Sequence, residues 1–448
     1  MSGKLPVESP TASFWLSSPH RLHSYRSSAS TPEECDIAII GTGMAGVATA
    51  YHILGKCAEG PKPKVALFEA RQACSGATGR NGGHSKTLLP SIKGYYDRYG
   101  PDLAEELVSL VSAQQRAIKS TVERENIECD LFVTRSFDAF FDPAQAITIK
   151  TWLEELRRNG AAWTQDIQWL EGPNIERVTG VKGVVAAASS PAFSFWPYKF
   201  VTSLLARVLH MGAILYTETP VEAVQGNDNG TVTLVTPRGT TRAQKVIYAT
   251  NAYSSAVLPQ YQGVIVPYRG QNSILVPLEK NHHGLNLAHT CNLFYSSDAV
   301  DYLVPRPDGN IVHGGAPHIY RLNSEDRNSK WFDTVDDATL IDEAVKTHFD
   351  HTMAKRFRGW EYSDANVAMT WTGIMGSTPD HLPHVGLVPG TQNQWILAGF
   401  NGAGMTTIFT TAEGVAEMVL TGKTVEETEI INAFKTTEER IATKFSRS

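Results

Sequence analysis

A chain of 448 residues, 42% hydrophobic and 19% charged, is long enough for two lobes and has the composition of a globular protein. Its formal net charge of -6 and the lack of any basic run argue against nucleic acid or an anionic membrane as partner. The five cysteines, Cys35, Cys57, Cys74, Cys129 and Cys291, are scattered without a CxxC pair, which predicts a reducing compartment rather than a disulfide framework or a zinc site.

Residues 1–33 are rich in Ser, Pro and Thr and read as an extended arm on the surface, with Trp15 and Leu16 as anchors. No charged stretch followed by an apolar run opens the chain, so a secretory signal is not expected and a cytoplasmic location is. The closing Ser446, Arg447 and Ser448 resemble a peroxisomal address only faintly. The apolar run Ile37 to Ile40 predicts a buried strand, Met44 to Leu54 an Ala-rich helix and Val65 to Phe68 a second strand.

Between the first strand and the helix stand Gly41, Gly43 and Gly46 at G-x-G-x-x-G spacing. Gly41 permits the tight turn, Gly43 lets backbone N–H groups approach a pyrophosphate, and Gly46 lets helix and strand pack closely. The partial positive charge at the helix start then holds phosphate without a basic side chain. Glu69, 23 residues beyond Gly46, ends the second strand and can accept from both ribose hydroxyls. A carboxylate there repels a 2′-phosphate, so FAD or NAD is expected rather than NADP.

A Gly-rich loop, CSGATGRNGGHS from Cys74 to Ser85, follows. Pro101 opens a long helical pattern with Leu103, Leu107, Leu110 and Val111 on one face, ending near Ile127. Leu131 to Phe141 reads as a strand, and Ala144 to Arg158 and Phe200 to His210 read as helices. Ala213 to Tyr216, Val221 to Val224, Thr231 to Val235 and Lys245 to Ala249 form a small meander that returns to the sheet. Thr250, Asn251 and Ala252 would bring the chain back beside the nucleotide. Tyr268 to Val276 and Tyr302 to His313 are strand-like, Thr339 to Phe349 helical, Trp395 to Ala398 a strand, and Met405 to Leu420 a closing helix after the turn Gly399 to Gly404.

Four stretches together carry a family resemblance: IIGTGMAG with Glu69, SGATGRNGGH, YLVPRPDGNIVHGG, and WTGIMGSTPDHLPHVG followed by LAGFNGAGMT. From Asp36 to Gly422 the chain resembles the D-amino-acid-oxidase-like, or glycine/sarcosine-oxidase-like, FAD-dependent oxidoreductases. Its motifs are similar to those of the γ-glutamylputrescine oxidase type and its fungal relatives. The resemblance implies an α/β fold: a Rossmann-like, glutathione-reductase-like FAD-binding domain interleaved with an α+β substrate domain on an antiparallel sheet. The expected division is 34–100, 190–260 and 360–448 for the first, and 101–189 with 261–359 for the second.

By the same resemblance Ser75, Thr78, Gly79, Arg80, Asn81, Gly82, Gly83 and His84 contact the cofactor, with Arg80 supplying charge or stacking. Met44, Ala45, Ala70, Arg71, Thr250 and Asn251 join them, and Val221 meets the adenine. At the other terminus Gly399, Phe400, Asn401, Gly402, Gly404 and Met405 aim N–H dipoles at the electron-rich edge of the flavin ring. No cysteine lies in TWTGIMGSTPD, and the position of a histidine tether falls near Arg80, so non-covalent FAD is expected.

The implied reaction oxidises a C–N bond of an amine or amino acid by hydride transfer to flavin N5, followed by imine hydrolysis and reoxidation by O2 to give H2O2. Pocket candidates are His84, Tyr302, Arg306, His313, Trp371, Met375 and Asn401, with His84, Tyr302, Arg306 and Trp371 as the catalytic set and Arg306 or Arg269 as cation for an α-carboxylate. His381 and His384 are separated by Pro383, which breaks the helix a ligand pair would need, so no metal is expected; His282 and His283 read as a solvated turn. The alternatives are a dehydrogenase of a fungal metabolite pathway with another acceptor, and a non-catalytic flavin-binding protein. A reductase using NAD(P)H would need a second nucleotide cradle in mid-chain, and none is found.

Overall fold

The computed structural model describes residues 4–277, 287–321 and 330–445; His282, His283 and residues 446–448 lie outside them. Two sheets organise the chain. In the first, Glu34–Ile40 is central: it pairs in parallel with Val65–Phe68 on one side and Gly239–Tyr248 on the other. Ile214–Tyr216 and Gln394–Ala398 extend the parallel run, and His384–Leu387 closes one edge antiparallel. These central strands are buried on both faces, which is why Ile37 to Ile40 and Val65 to Phe68 read as continuous apolar runs.

The helix Met44–Lys56 covers one face and packs against Gly404–Thr421 and Pro197–His210. It starts at Gly43 and places ten of its thirteen residues in the core. Among the described residues no helix is long and apolar enough to cross a membrane.

The second sheet has nine strands, mostly antiparallel, and takes in His84–Lys86, Ala186–Ser194 and Asn366–Ser377. His84–Lys86 and Asn366–Ser377, with the last five residues of Ala186–Ser194, come from segments expected for the nucleotide lobe. The chain therefore crosses to the second lobe before residue 100 and returns after 360. Two stretches differ from expectation for local reasons. The Tyr302 to His313 run is a hairpin, Val300–Pro305 with Ile311–Gly315, because Gly309 at φ +84° turns the chain. The helix expected from Thr339 begins at Glu343, where the Asp342 side chain caps it by accepting from the Ala344 N–H.

Register across this sheet aligns one row of residues through six neighbouring strands: Asp138, Asn292, Tyr302, Gly314, Asn272 and Trp371. The opposite face, with Phe137, Cys291, Leu293 and Leu303, packs under the helix Glu343–Arg356. The row's face is the one turned to the cofactor loop, since Asn272 and Trp371 both reach Arg80.

Candidate cofactor and substrate site

A cleft opens along the ends of the first sheet's strands. Of the residues singled out from sequence, Gly41, Gly43, Met44, Ala45, Glu69, Ala70, Arg71, Thr78, Val221, Thr250, Asn251 and Phe400 form its wall. Residues from both ends of the chain thus meet in one cavity.

At the glycine turn the cradle is made of backbone. Gly41 sits at φ +106°, and a Cβ on Gly46 would lie 1.9 Å from the Gly41 carbonyl oxygen, so only glycine lets this helix seat on this turn. A Cβ on Gly43 would meet Thr78 Oγ1 at 3.2 Å. The helix has no side-chain cap from Gly43 itself, and its first turn lines the cleft. The Met44 N–H donates to Thr78 Oγ1 at 3.0 Å and ties the second loop to the first. Glu69 is fixed from both sides: Oε2 accepts from the Thr42 N–H at 2.9 Å and Oε1 from the Arg71 N–H at 3.0 Å.

The SGATGRNGGH loop runs behind this wall. Arg80 faces away from the cleft, contrary to the expectation that it supplies charge or stacking. Its guanidinium donates to the carbonyls of Ser75, Thr372 and Thr11 at 2.8–2.9 Å, with Asp337 at 3.6 Å, and its side chain is 1% exposed. Burial holds its pKa down at about 10. Its carbonyl is gripped by Asn272 Nδ2 at 2.8 Å and Trp371 Nε1 at 2.9 Å. Trp371, fully buried, thereby positions the loop and has no face left for substrate. Asn81 caps the loop's end, its Oδ1 accepting from the Gly83 N–H at 2.8 Å. Gly82 and Gly83 admit aromatic rings: a Cβ at Gly82 would strike Tyr302 at 2.5 Å, and one at Gly83 would strike Trp15 at 2.7 Å. Ser75 and Gly79 are buried beneath, the Gly79 carbonyl accepting from Ser13 Oγ.

The turn near the C-terminus differs in detail from expectation. The N–H groups of Gly399 and Phe400 both point to Asn251 Oδ1, at 2.9 and 3.3 Å, and that of Asn401 to the Gly376 carbonyl. The Asn401 side chain bridges Thr378 and the Gly399 carbonyl. The Ala403 N–H donates to the Phe400 carbonyl at 2.8 Å, so the donors without a protein acceptor among the described residues are those of Gly402, Gly404 and Met405, where the helix Gly404–Thr421 starts with no side-chain cap.

Over residues 36–418 the chain matches the family described as DAO, FAD dependent oxidoreductase. The chain belongs to this family. Glycine oxidase of Bacillus licheniformis is 25% identical over 410 residues, covering 89% of this chain and 96% of that protein. Human mitochondrial dimethylglycine dehydrogenase is 22% identical over 384 residues, 82% of this chain and 40% of its own length. Among solved structures, glycine oxidase from Geobacillus kaustophilus superposes with a TM-score of 0.70 at 19% identity, over 91% of this chain and 99% of that one. L-amino acid deaminase from Proteus vulgaris also gives 0.70, at 16% identity over 94% and 98%.

The protein is accordingly an FAD-dependent oxidoreductase. The cavity fits that cofactor: besides the glycine cradle and Glu69, the Tyr253 hydroxyl is buried in the cleft wall with no hydrogen-bond partner, and Ser75 Oγ is likewise unmatched in the loop. Gly43, Met44, Glu69 and the Gly402 turn are the residues that would hold it.

Around that turn Tyr268 and Met375 converge, for a Cβ on Gly402 would meet Tyr268 Oη at 2.9 Å and Met375 Sδ at 3.6 Å. Tyr302 donates to Asn272 Oδ1 and packs against the His84 ring at a centroid distance of 5.3 Å. Gly314 makes that bond possible, because any side chain there would occupy the space between the two strands' polar groups. Two candidates lie elsewhere. Arg306 pairs with Asp130 at 2.7 Å under Phe14, Trp15 and Trp196, whose ring faces hold its guanidinium. His313 lies on the reverse face, 3.8 Å from Asp301 and stacked on Phe349 at 3.9 Å. Arg269 is engaged by the carbonyls of Lys330 and Thr339 and by Asp336. His384 meets Thr436 inside the core.

Sequence reasoning missed Leu5, Pro6, Gly76, Ala77, Tyr253, Ile374 and Ile408 of the cleft wall. Gly76 and Ala77 stand inside the quoted loop motif, and Ile408 is one helical turn beyond Met405, so spacing could have found them. Leu5, Pro6 and Ile374 carry no local signal. Lys86 was also passed over. It is fully enclosed, its Nζ 4.0 Å from Asp138 Oδ1 and without a hydrogen bond, and burial pushes its pKa down to about 8.

Proposed function

We propose that the chain oxidises a C–N bond of an amine or amino acid, giving an imine that water hydrolyses. Bound FAD, held non-covalently, supplies the hydride acceptor at N5 and is reoxidised by O2 with release of H2O2. The observation that carries this reading is the His84–Tyr302 pair beside the cofactor loop. Burial, reinforced by Lys86, holds the His84 imidazole well below its usual range and therefore neutral. Its Nδ1 is buried with no partner. A neutral imidazole there adds no positive charge and offers a lone pair to an amine N–H, so the site favours binding the free amine, the form from which a hydride departs. The Tyr302 hydroxyl, its hydrogen engaged by Asn272, keeps lone pairs to accept an amine N–H. Burial raises the pKa of Tyr268 and of Tyr302, so both phenols stay uncharged.

With Arg269 and Arg306 both engaged, these residues favour an amine without an adjacent carboxylate, while the relatives named glycine oxidase and L-amino acid deaminase favour the amino-acid arm. Both belong in one test. Holoprotein mixed anaerobically with a panel of primary, secondary and polyamine-derived amines and of amino acids should lose its flavin absorbance with at least one class, then release H2O2 when air is admitted. Bleaching without H2O2 would favour a dehydrogenase, and no bleaching by any member would overturn the reading. Acid denaturation should release FAD to the supernatant.

A further inference from the structure

The segment Leu5–Trp15 is built into the cofactor site rather than laid on the surface. Leu5 and Pro6 form part of the cleft wall. Immediately after them the Val7 carbonyl accepts from Arg71 Nη1 at 3.2 Å, and Arg71 lines the same cleft next to Glu69. Thr11 is a second fastening. Its N–H donates to the Asp337 carbonyl at 2.6 Å, its carbonyl accepts from Arg80 Nη2 at 2.8 Å, and its Oγ1 accepts from the Thr372 N–H at 3.0 Å. Ser13 Oγ and Trp15 Nε1 then donate to the carbonyls of Gly79 and Asn81 at 2.7 and 2.6 Å. One short stretch therefore runs from the cleft wall along the full cofactor loop.

The second lobe holds it in place. Asp337 forms a bidentate pair with Arg71, both oxygens within 3.1 Å of its guanidinium, and the two side chains are 1% and 6% exposed. Leu5, by contrast, exposes 38% of its surface, a large apolar side chain left open at the cleft wall. A group bound in the cleft would lie against this side chain and cover it.

We infer that residues 5–15 are a cofactor strap: Leu5 and Pro6 cover the Glu69–Arg71 end of the cleft, and the Arg71–Asp337 pair fastens them there, so that FAD leaves only after this segment lifts. The strap acts on FAD retention whichever substrate the enzyme oxidises. Because it must open before release, its effect appears in the dissociation rate.

The test is flavin release from holoprotein, followed as the fluorescence of free FAD after dilution. A variant lacking residues 1–9, which keeps the Thr11, Ser13 and Trp15 fastenings, should release FAD about tenfold faster, with an unchanged flavin spectrum and an unchanged thermal midpoint of the apoprotein. The double variant Leu5→Gly/Pro6→Gly keeps every hydrogen bond of the strap and should release it about threefold faster. Release at the wild-type rate from the double variant overturns the assignment, whether or not the deletion yields folded protein.

Discussion

The two ends of the cleft are built from different materials. At the diphosphate end the structure is backbone: three glycines, an uncapped helix start and one carboxylate held by N–H groups on either side. At the ring end it is side chain: Tyr302 to Asn272, Asn272 and Trp371 to the Arg80 carbonyl, and Asn251 under the Gly399 turn. The first end is local, made within some 35 residues. The second draws on strands far apart in sequence and depends on register. A backbone cradle tolerates almost no added atom, whereas a side-chain network loses function in steps.

The sharpest break is at the first end. Gly46→Ala puts a methyl 1.9 Å from the Gly41 carbonyl, so about 3 kcal/mol of stability should vanish and the purified protein should hold little FAD, read from denaturant midpoints and flavin absorbance. If the variant kept wild-type FAD content, the cradle would not be the rigid end.

At the second end Lys86→Met should act through pH. The folded-state pKa of Lys86 lies near 8, below its free value of 10.5, so the folded protein binds fewer protons between those limits. Stability from this group is present above pH 10.5 and is lost as pH falls through about 8. The variant should remove that rise with pH, an effect of about 3 kcal/mol in denaturation measured at both ends of the window.

Asn272→Ala should cost about 2 kcal/mol by leaving the Tyr302 hydroxyl without its acceptor and the Arg80 carbonyl with one donor fewer. FAD should still bind. The smallest change, Tyr302→Phe, removes only the hydroxyl. It should slow anaerobic flavin reduction by the best substrate about tenfold, roughly 1.4 kcal/mol, with FAD content near wild type and a smaller loss of stability than Asn272→Ala. Equal loss of FAD from Tyr302→Phe and Gly46→Ala would erase the distinction between the two ends.

This division also explains what the sequence made legible. Gly41, Gly43, Gly46 and Glu69 announce themselves because turn geometry dictates residue type at fixed spacing, and the strand–helix–strand around them follows from apolar runs. The Asp138-to-Trp371 row is invisible to such reading, for its six members come from six strands whose pairing is a property of the folded sheet. For the same reason Arg306 and Trp371 were natural pocket candidates: a cation and an indole advertise chemistry, while only the fold shows Asp130 and the Arg80 carbonyl occupying them. The Leu5 and Pro6 contribution was hidden differently, since an extended arm has no periodicity to betray which surface it crosses.

The grip of Asn272 and Trp371 on the Arg80 carbonyl sets an order of events during synthesis. A nascent polypeptide that has emerged only as far as its glycine turn possesses the phosphate seat but not the strands that hold the ring loop, nor the closing helix. Closure of the site therefore waits on the last strands and helix, and a chain terminated before Asn366–Ser377, lacking Trp371 and the closing helix, should hold no flavin.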